Sequence, residues 1–292
     1  MDDVFEAHIR FLKTHFDILS FPELLERWKN RDWNSRRRYC VITFDDGWMD
    51  NYLYAYPILK HYNIPATIFL PTAFIGTNQW FWPEKVSYLL RHYYVAGGTK
   101  DNTNFMKSLW GQYPWLKAIK GERGNEQIDS IIEMFKEATQ EEIDDIIERM
   151  RNGLDLELPD ERALMNWEEV REMSGSGVSF GSHSSTHRIL RKLTTKEIEN
   201  EIKGSLHTLL DKNVNSIPVF CYPNGFYTQE VARLVKSAGY QAAASARFGV
   251  EGGIPQDLYG LKRVSVHNDI SATIPLFTFH ISGLNHLCSF IS

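Results

Sequence analysis

The chain has 292 residues, 43% hydrophobic and 24% charged, a globular composition that excludes a disordered or fibrous protein. Its 32 Lys and Arg residues against 37 Asp and Glu residues leave a formal charge of −5, so no overall positive field gathers nucleic acid or anionic lipid. No apolar run approaches the ~20 residues that span a bilayer, and the length allows one large α/β domain or two smaller ones.

Phe5, Ile9, Leu12 and Phe16 recur at helical spacing, and Phe21-Pro22 starts a second short helix through Leu24, Leu25 and Trp28. Residues 1–38 therefore read as an N-terminal helical segment, closed by a polar and basic surface loop from Asn30 to Arg38. Its start, Met1-Asp2-Asp3-Val4, is acidic where a signal peptide is basic. The sequence as it stands is thus expected to be soluble and cytoplasmic, and extracytoplasmic only if the N-terminus is trimmed. The main domain, residues 39–292, opens with the β-branched run Tyr39 to Phe44, a buried strand that stops at Asp45-Asp46-Gly47. A helix through Leu53, Ile58 and Leu59 follows, with Pro57 as its kink or its first turn. Ala66 to Leu70 is the next strand.

Residues 78–165 are too long for a plain loop and read as a helical insertion. Trp80, Trp82, Trp110 and Trp115 are expected to pack between it and the main domain. One periodic helix carries Ile128, Ile131, Ile132 and Phe135; a second carries Ile143, Ile146, Ile147 and Met150, with Thr139 and Glu142 as a capping box and Gly153 as its stop. Strand and helix then alternate. Asn166 and Glu169 cap a helix ending near Gly175, and Val178 to Ser182 is a strand leading into His183. Thr194 and Glu197 box a helix through Ile198, Ile202 and Leu209. Ile217 to Tyr222 is a strand ending at Pro223-Asn224-Gly225, and a helix through Val231, Leu234 and Val235 closes at Gly239. Gln241 to Ala246 and Leu261 to Val266 are further strands, and a last helix begins near Ser271. This alternation argues for a parallel sheet. Cys40, Cys221 and Cys288 are odd in number and widely spread, so neither a disulfide framework nor a Cys-x-x-Cys knuckle is expected, and Cys40 and Cys288 read as small buried hydrophobes. His8, His15, His61, His92, His207, His280 and His286 read as solvated or structural.

Reactive residues sit at the carboxyl ends of three strands: Asp45 and Asp46, His183 and His187, and Tyr222 to Gly225. Parallel α/β folds build sites at that edge. His183 and His187, four residues apart, can aim both imidazoles at one point. One carboxylate added to them gives an open catalytic divalent-metal site, and the adjacent carboxylate is free to take a proton from water. Taken singly, Asp-Asp-Gly is a turn, His-x-x-x-His a chance spacing and Asn-Gly a turn signal; together, the three favour a metal site and leave the substrate open.

Thr43-Phe44-Asp45-Asp46-Gly47, followed by Asp50-Asn51, Pro57-Ile58-Leu59 and Ala66 to Leu70, resembles the first motif region of the polysaccharide deacetylases, the NodB homology domain enzymes of carbohydrate esterase family 4. Gly181-Ser182-His183-Ser184-Ser185-Thr186-His187 is similar to their second motif, His-[Ser/Thr]-x-x-His. The resemblance covers roughly residues 39–76 and 166–268. It implies an α/β fold, a distorted (β/α) barrel usually short of eight repeats, and removal of N-linked acetyl groups from amino sugars of a polysaccharide or glycan precursor. It implies Asp45 as general base and Asp46, His183 and His187 as ligands of a divalent metal, commonly Zn2+, with Co2+ or Ni2+ as alternatives.

The family's third motif, Arg-x-Pro-Tyr, corresponds to Cys221-Tyr222-Pro223-Asn224. The Pro is kept, so the Asn224 amide can serve the oxyanion, and Tyr222, Pro223 and Arg263 are expected to border the substrate. The motif's Arg, which orients the catalytic Asp, is replaced by Cys221, and Arg263 on a later strand is the candidate to take its place. His267 is the nearest match to the general acid of the fifth motif, with a loop His of no consequence as the equal alternative. The fourth motif's Asp and Trp have no clear counterpart. An O-acetyl esterase on the same scaffold, or a non-catalytic glycan-binding protein on a degenerate barrel, are the alternatives.

Overall fold

A computed structural model of the chain describes residues 2–95, 100–113, 115 and 125–283. Its strands are β1 (Asp17–Ile18), β2 (Tyr39–Cys40), β3 (Thr43–Phe44), β4 (Ala66–Leu70), β5 (Val178–Ser182), β6 (Ser216–Cys221), β7 (Ala242–Phe248) and β8 (Leu261–Arg263). Its helices are α1 (Asp2–His15), α2 (Phe21–Asn30), α3 (Tyr56–Tyr62), α4 (Trp82–Val95), α5 (Lys100–Gln112), α6 (Asn125–Phe135), α7 (Gln140–Leu154), α8 (Trp167–Ser174), α9 (Thr195–Asp211), α10 (Gln229–Ser237), α11 (Asn268–Ser271) and α12 (Ile274–Ile281). The chain divides into two compact units, Met1–Thr77 with Leu164–Ser292, and Asn78–Ala163. Cys288 and His286 lie outside the described residues. Among the described residues no helix is long and apolar enough to cross a membrane.

In the first unit six parallel strands, ordered β3-β4-β5-β6-β7-β8, curl into half a barrel with helices around it. Every residue of β4 and β5 is buried, because helices and barrel interior cover both faces, so these strands read as continuous runs without alternation. Further along the sheet the two faces separate. Val219 and Cys221 of β6 pack with Phe69, Ala242, Ala244 and Leu261, and with Phe21, Leu24 and Trp28 of α2. Phe220 and the following Tyr222 turn the other way, onto Ile198 and Ile202 of α9 and Val231 and Val235 of α10. The α1 helix belongs to this unit: His8 stacks on Phe277 of α12 at 4.0 Å and its Nε2 donates to the Ser271 carbonyl at 2.8 Å.

Two elements expected as single pieces are divided. The run Tyr39 to Phe44 changes partner midway: β2 pairs with β1 in a separate two-stranded sheet, while β3 joins β4. The Ile42 carbonyl already accepts from Thr67 N at 3.0 Å, so the ladder is kept through the switch. The helix after Gly47 starts as a π-helical turn over Asn51–Ala55, and Pro57 stands in the first turn of α3, where its missing N–H costs nothing.

The second unit holds α4 to α7 around its own core. Trp82 is buried there and stacks on Phe135 at 5.9 Å, and Trp115 meets Phe135 edge-on at 5.2 Å. Trp110 packs against the same core, and Trp80 donates its indole N–H to the Glu161 carbonyl at 3.0 Å. The tryptophans thus pack within the insertion. Gly153 does not end α7 but lies inside it: a Cβ there would stand 2.1 Å from Phe105 Cζ, so the glycine lets that ring approach. The stop is Asp155, in the left-handed conformation, whose N–H donates to the Arg151 carbonyl.

Gly225 is the tightest point behind the site loops. It sits at φ +70°, and a Cβ would stand 2.5 Å from Ala246 N. Gly225→Ala is expected to destabilise the fold by on the order of 3 kcal/mol, through left-handed strain plus overpacking. The check is the denaturation midpoint at unchanged slope; a variant as stable as the parent contradicts the close approach.

Candidate metal centre

The first half of the site is a turn imposed on the end of β3. Asp46 and Gly47 both take left-handed backbone, at φ +70° and +69°, and Gly47 N donates back to the Asp45 carbonyl at 2.9 Å. Asp tolerates this region better than bulkier residues. Gly47 is required there, since a Cβ would stand 2.6 Å from Leu70 Cδ2. The turn sends the two carboxylates in different directions.

The second half is the loop after β5. His183 N donates to the Leu70 carbonyl at 2.9 Å, which fixes its start, and Ser184 and His187 both have positive φ. Their unusual backbone is held from inside. Ser184 Oγ accepts from His187 N at 3.0 Å, and Ser182 Oγ accepts from Ser184 N at 3.2 Å. Glu201, only 6% exposed, reaches from α9 to the same loop. Its Oε2 accepts from Ser185 N at 2.9 Å and Thr186 N at 2.8 Å, and its Oε1 accepts from the Thr186 hydroxyl. Sequence reading passed over Glu201. The available signal is its place beside the apolar stripe Ile198, Ile202 and Leu209 of α9, where a solvated acid does not belong.

The two halves converge. Asp46 Oδ1 lies 3.4 Å from His183 Nε2 and 3.2 Å from His187 Nε2. The three ligand atoms lie within 4.8 Å of one another. His183 Nδ1 must donate to the Cys221 carbonyl at 2.8 Å, since a carbonyl only accepts. Burial, helped by His187, lowers the pKa of His183 against the pull of Asp45 and Asp46, so the ring is neutral and presents the Nε2 lone pair. Burial alone would raise the pKa of Asp46, but His187 and the Trp48 indole N–H at 3.2 Å hold it down, at about 2. A lone pair and an ionised carboxylate oxygen therefore face each other, and Asp46 Oδ1 is buried without a hydrogen-bond partner among the described residues. Such an arrangement fits a divalent cation between the three, with His183 oriented by its outer hydrogen bond. A neighbouring group, Asp45, His183 and Cys221, is also compact, but Cys221 is kept as a neutral thiol by burial and by Asp45, and the His183 Nδ1 facing it is already committed.

Asp45 is clamped by Arg263 at the end of β8, with Nη1 on Oδ1 at 2.7 Å and Nη2 on Oδ2 at 2.8 Å. Arg263 Nε donates to the Ser245 carbonyl at 3.0 Å, which aims the fork. The Cys221 thiol lies 3.6 Å from Asp45 Oδ1. Burial and Asp46 push the Asp45 pKa up, but the Arg263 fork outweighs them, so it stays below the usual carboxylate value.

The family model described as polysaccharide deacetylase matches residues 33–154 and 157–243. The chain belongs to the polysaccharide deacetylase family. Among relatives, YxkH of Bacillus subtilis, named as a polysaccharide deacetylase, is 22% identical over 269 residues, covering 92% of this chain and 66% of that protein. The poly-β-1,6-N-acetyl-D-glucosamine N-deacetylase of Staphylococcus aureus is 43% identical over 75 residues, 25% of this chain and 24% of that protein. In fold, the chain is similar to the Streptococcus pyogenes deacetylase PplD, solved with acetate, at TM-score 0.58 and 18% identity, covering 92% of this chain and 83% of that one. It is also similar to IcaB of Ammonifex degensii at TM-score 0.55 and 16% identity, covering 96% and 89%.

Five further expected positions, Tyr222, Pro223, Asn224, Arg263 and His267, lie outside the ligand cluster. Tyr222 is fully buried on the helix-facing side, where its hydroxyl donates to the Tyr259 carbonyl at 2.8 Å and its ring stacks on Tyr227 at 4.4 Å. It therefore offers no surface to a substrate. Pro223 is buried as well, and Arg263 spends its fork on Asp45. Asn224 takes left-handed backbone at φ 56°, ψ 8°, and its Nδ2 is buried without a partner among the described residues. His267 is exposed, precedes α11, and is not part of the metal-ligand cluster.

Two outcomes follow from these contacts. Glu201→Ala strips an acceptor from two backbone N–H groups and a hydroxyl. It is expected to cost about 3 kcal/mol in chemical denaturation, with Glu201→Gln intermediate. Arg263→Ala leaves burial and Asp46 to raise the Asp45 pKa. Asp45 then loses its proton at higher pH, so the acid limb of the kcat/KM profile of any reaction that uses its carboxylate moves up. An unmoved limb contradicts the role of the pair.

Proposed function

We propose that this deacetylase hydrolyses N-acetyl groups from amino sugars of a polysaccharide, of the poly-N-acetylglucosamine class, and needs a divalent metal to do so. The single observation that carries the reading is the convergence of Asp46, His183 and His187 beside a separately clamped Asp45. Two imidazoles and one carboxylate suit Zn2+, and the same donors accept Co2+ or Ni2+. The substrate class is supported by the segment shared with the Staphylococcus aureus enzyme, whose name gives that polymer.

Asp46, His183 and His187 would hold the ion. When bound, it supplies Lewis acidity, polarising the acetyl carbonyl and making water easier to deprotonate. Asp45, ionised and fixed by Arg263, takes the proton from the attacking water. The Asn224 backbone amide is the candidate donor to the oxyanion that develops on the carbonyl. An amide also needs a proton on its leaving nitrogen, and the candidate for that task, His267, is exposed and lies outside the ligand cluster. This favours a second reading, an O-acetyl esterase, since an alkoxide leaving group needs less help. The Asp45–Arg263 clamp counts against a non-catalytic barrel, because a binding module has no use for an oriented base.

Asp46→Ala and His183→Ala are expected to lose bound metal on dialysis, read by elemental analysis; full occupancy in both variants sinks the ligand assignment. Asp45→Asn is expected to keep its metal and lose activity by roughly 100-fold or more. Acetate release from poly-N-acetylglucosamine compared with that from an acetylated xylan separates amide from ester hydrolysis. His267→Ala sharpens the comparison, since only amide turnover should fall.

A further inference from the structure

Charge along the chain is uneven. Residues 27–38 carry six Lys and Arg residues against one Asp, a net +5, so the rest of the chain carries −10. Lys29, Arg31, Arg36, Arg37 and Arg38 are all exposed. The metal centre uses none of them.

This segment borders a cavity of about 360 Å³ in the barrel unit, lined by Lys13, Asp17, Arg27, Arg37 and Tyr39 together with the apolar Phe16 and Ile64. The cavity also touches Asn63 to Pro65, which lead into the amino end of β4. The metal ligands sit beyond the carboxyl ends of the same sheet, roughly 16 Å away along a strand of this length. An occupant here does not compete with the catalytic edge.

The cationic groups are already ordered. Arg27 is held by Asp32 at 2.8 Å and lies 5.4 Å over the Tyr39 ring. Lys13 Nζ donates to the Tyr62 carbonyl at 2.8 Å. Arg37 pairs with both carboxylate oxygens of Asp17. One hydrogen bond each leaves Arg27 and Lys13 with further N–H donors for a ligand. Three cations against Asp17 leave the cavity lining at net +2. Asp32 does not line it and is 71% exposed, so water screens its charge.

We infer that this cavity is a binding site for a phosphate monoester on a sugar-sized group. A phosphomonoester carries about −1.5 to −2 at neutral pH, which matches the lining, and its oxygens suit a guanidinium fork and an ammonium together. A lone carboxylate brings half that charge and underfills the space. The exposed arginines around the rim raise the local concentration of such anions. The phosphate belongs either to a soluble sugar phosphate or to a lipid headgroup.

The test is calorimetric titration of the full chain with a hexose 6-phosphate, inorganic phosphate and the neutral hexose. The two phosphates are expected to bind, more weakly as salt is added, and the neutral hexose not to bind. The double variant Lys13→Ala, Arg27→Ala is expected to weaken binding by roughly tenfold per cation removed, with its melting temperature read alongside to show that it is folded. Arg37 is left alone, since its loss would unpair Asp17 inside the cavity. Arg36→Ala, outside the cavity, should stay within about twofold of the parent. Cosedimentation with phosphatidate vesicles, lost in the folded double variant, supports the site with a lipid as the source. Absence of cosedimentation beside hexose phosphate binding supports it with a soluble sugar as the source. No binding of either phosphate, equal binding of the neutral hexose, or a folded double variant with the parent's affinity overturns the inference.

Discussion

Two acceptor atoms held a little over 3 Å apart in a buried place repel one another unless something positive lies between them. The Asp46 carboxylate and the His183 lone pair are in that position, and the surrounding structure holds them there. The Cys221 carbonyl fixes the His183 ring, Glu201 fixes the loop that carries both imidazoles, and left-handed backbone at Asp46 and His187 keeps their side chains turned inward. Strain of this kind persists only where neighbours over-determine it. The barrel unit can be read as the scaffold for this unfavourable arrangement.

Asp45 shows how a fold keeps an interaction while changing its source. The resemblance leads one to expect an arginine at position 221, on β6, beside the catalytic aspartate. Cys221 stands there instead, buried and too short to make an ion pair. Arg263 enters from β8, two strands away, and forms a two-pronged ion pair with Asp45. A parallel sheet makes this exchange possible because all its strands end at the same edge.

Much of this was legible in the sequence. Asp45, Asp46, His183 and His187 stand out because acids and histidines directly following apolar β-branched runs have few structural uses, and Arg263 because a cation was missing and one stood at a later strand end. The insertion's α4 and α5 were not singled out, though Val86, Leu89 and Leu90 carry the helical period. β1 was missed because two residues cannot show a period. Gly153 was misread as a stop because a glycine that admits a ring looks, in sequence, like one that ends a helix. Tyr222 was expected beside the substrate because its motif points there. Alternation along β6 turns it toward the helices instead. Side-chain direction of that sort depends on which face a strand packs, and the residue types alone do not carry it.

Asp45 and Arg263 are separated by 218 positions. A polypeptide leaving the ribosome acquires its carboxylates first, its imidazoles much later and the guanidinium last of the three. Closing so long a loop is slow compared with forming local helices, so Asp45 gains its cation only once the sheet is complete through β8. A nascent chain that has not yet released β8 therefore leaves the Asp45 carboxylate without its guanidinium partner.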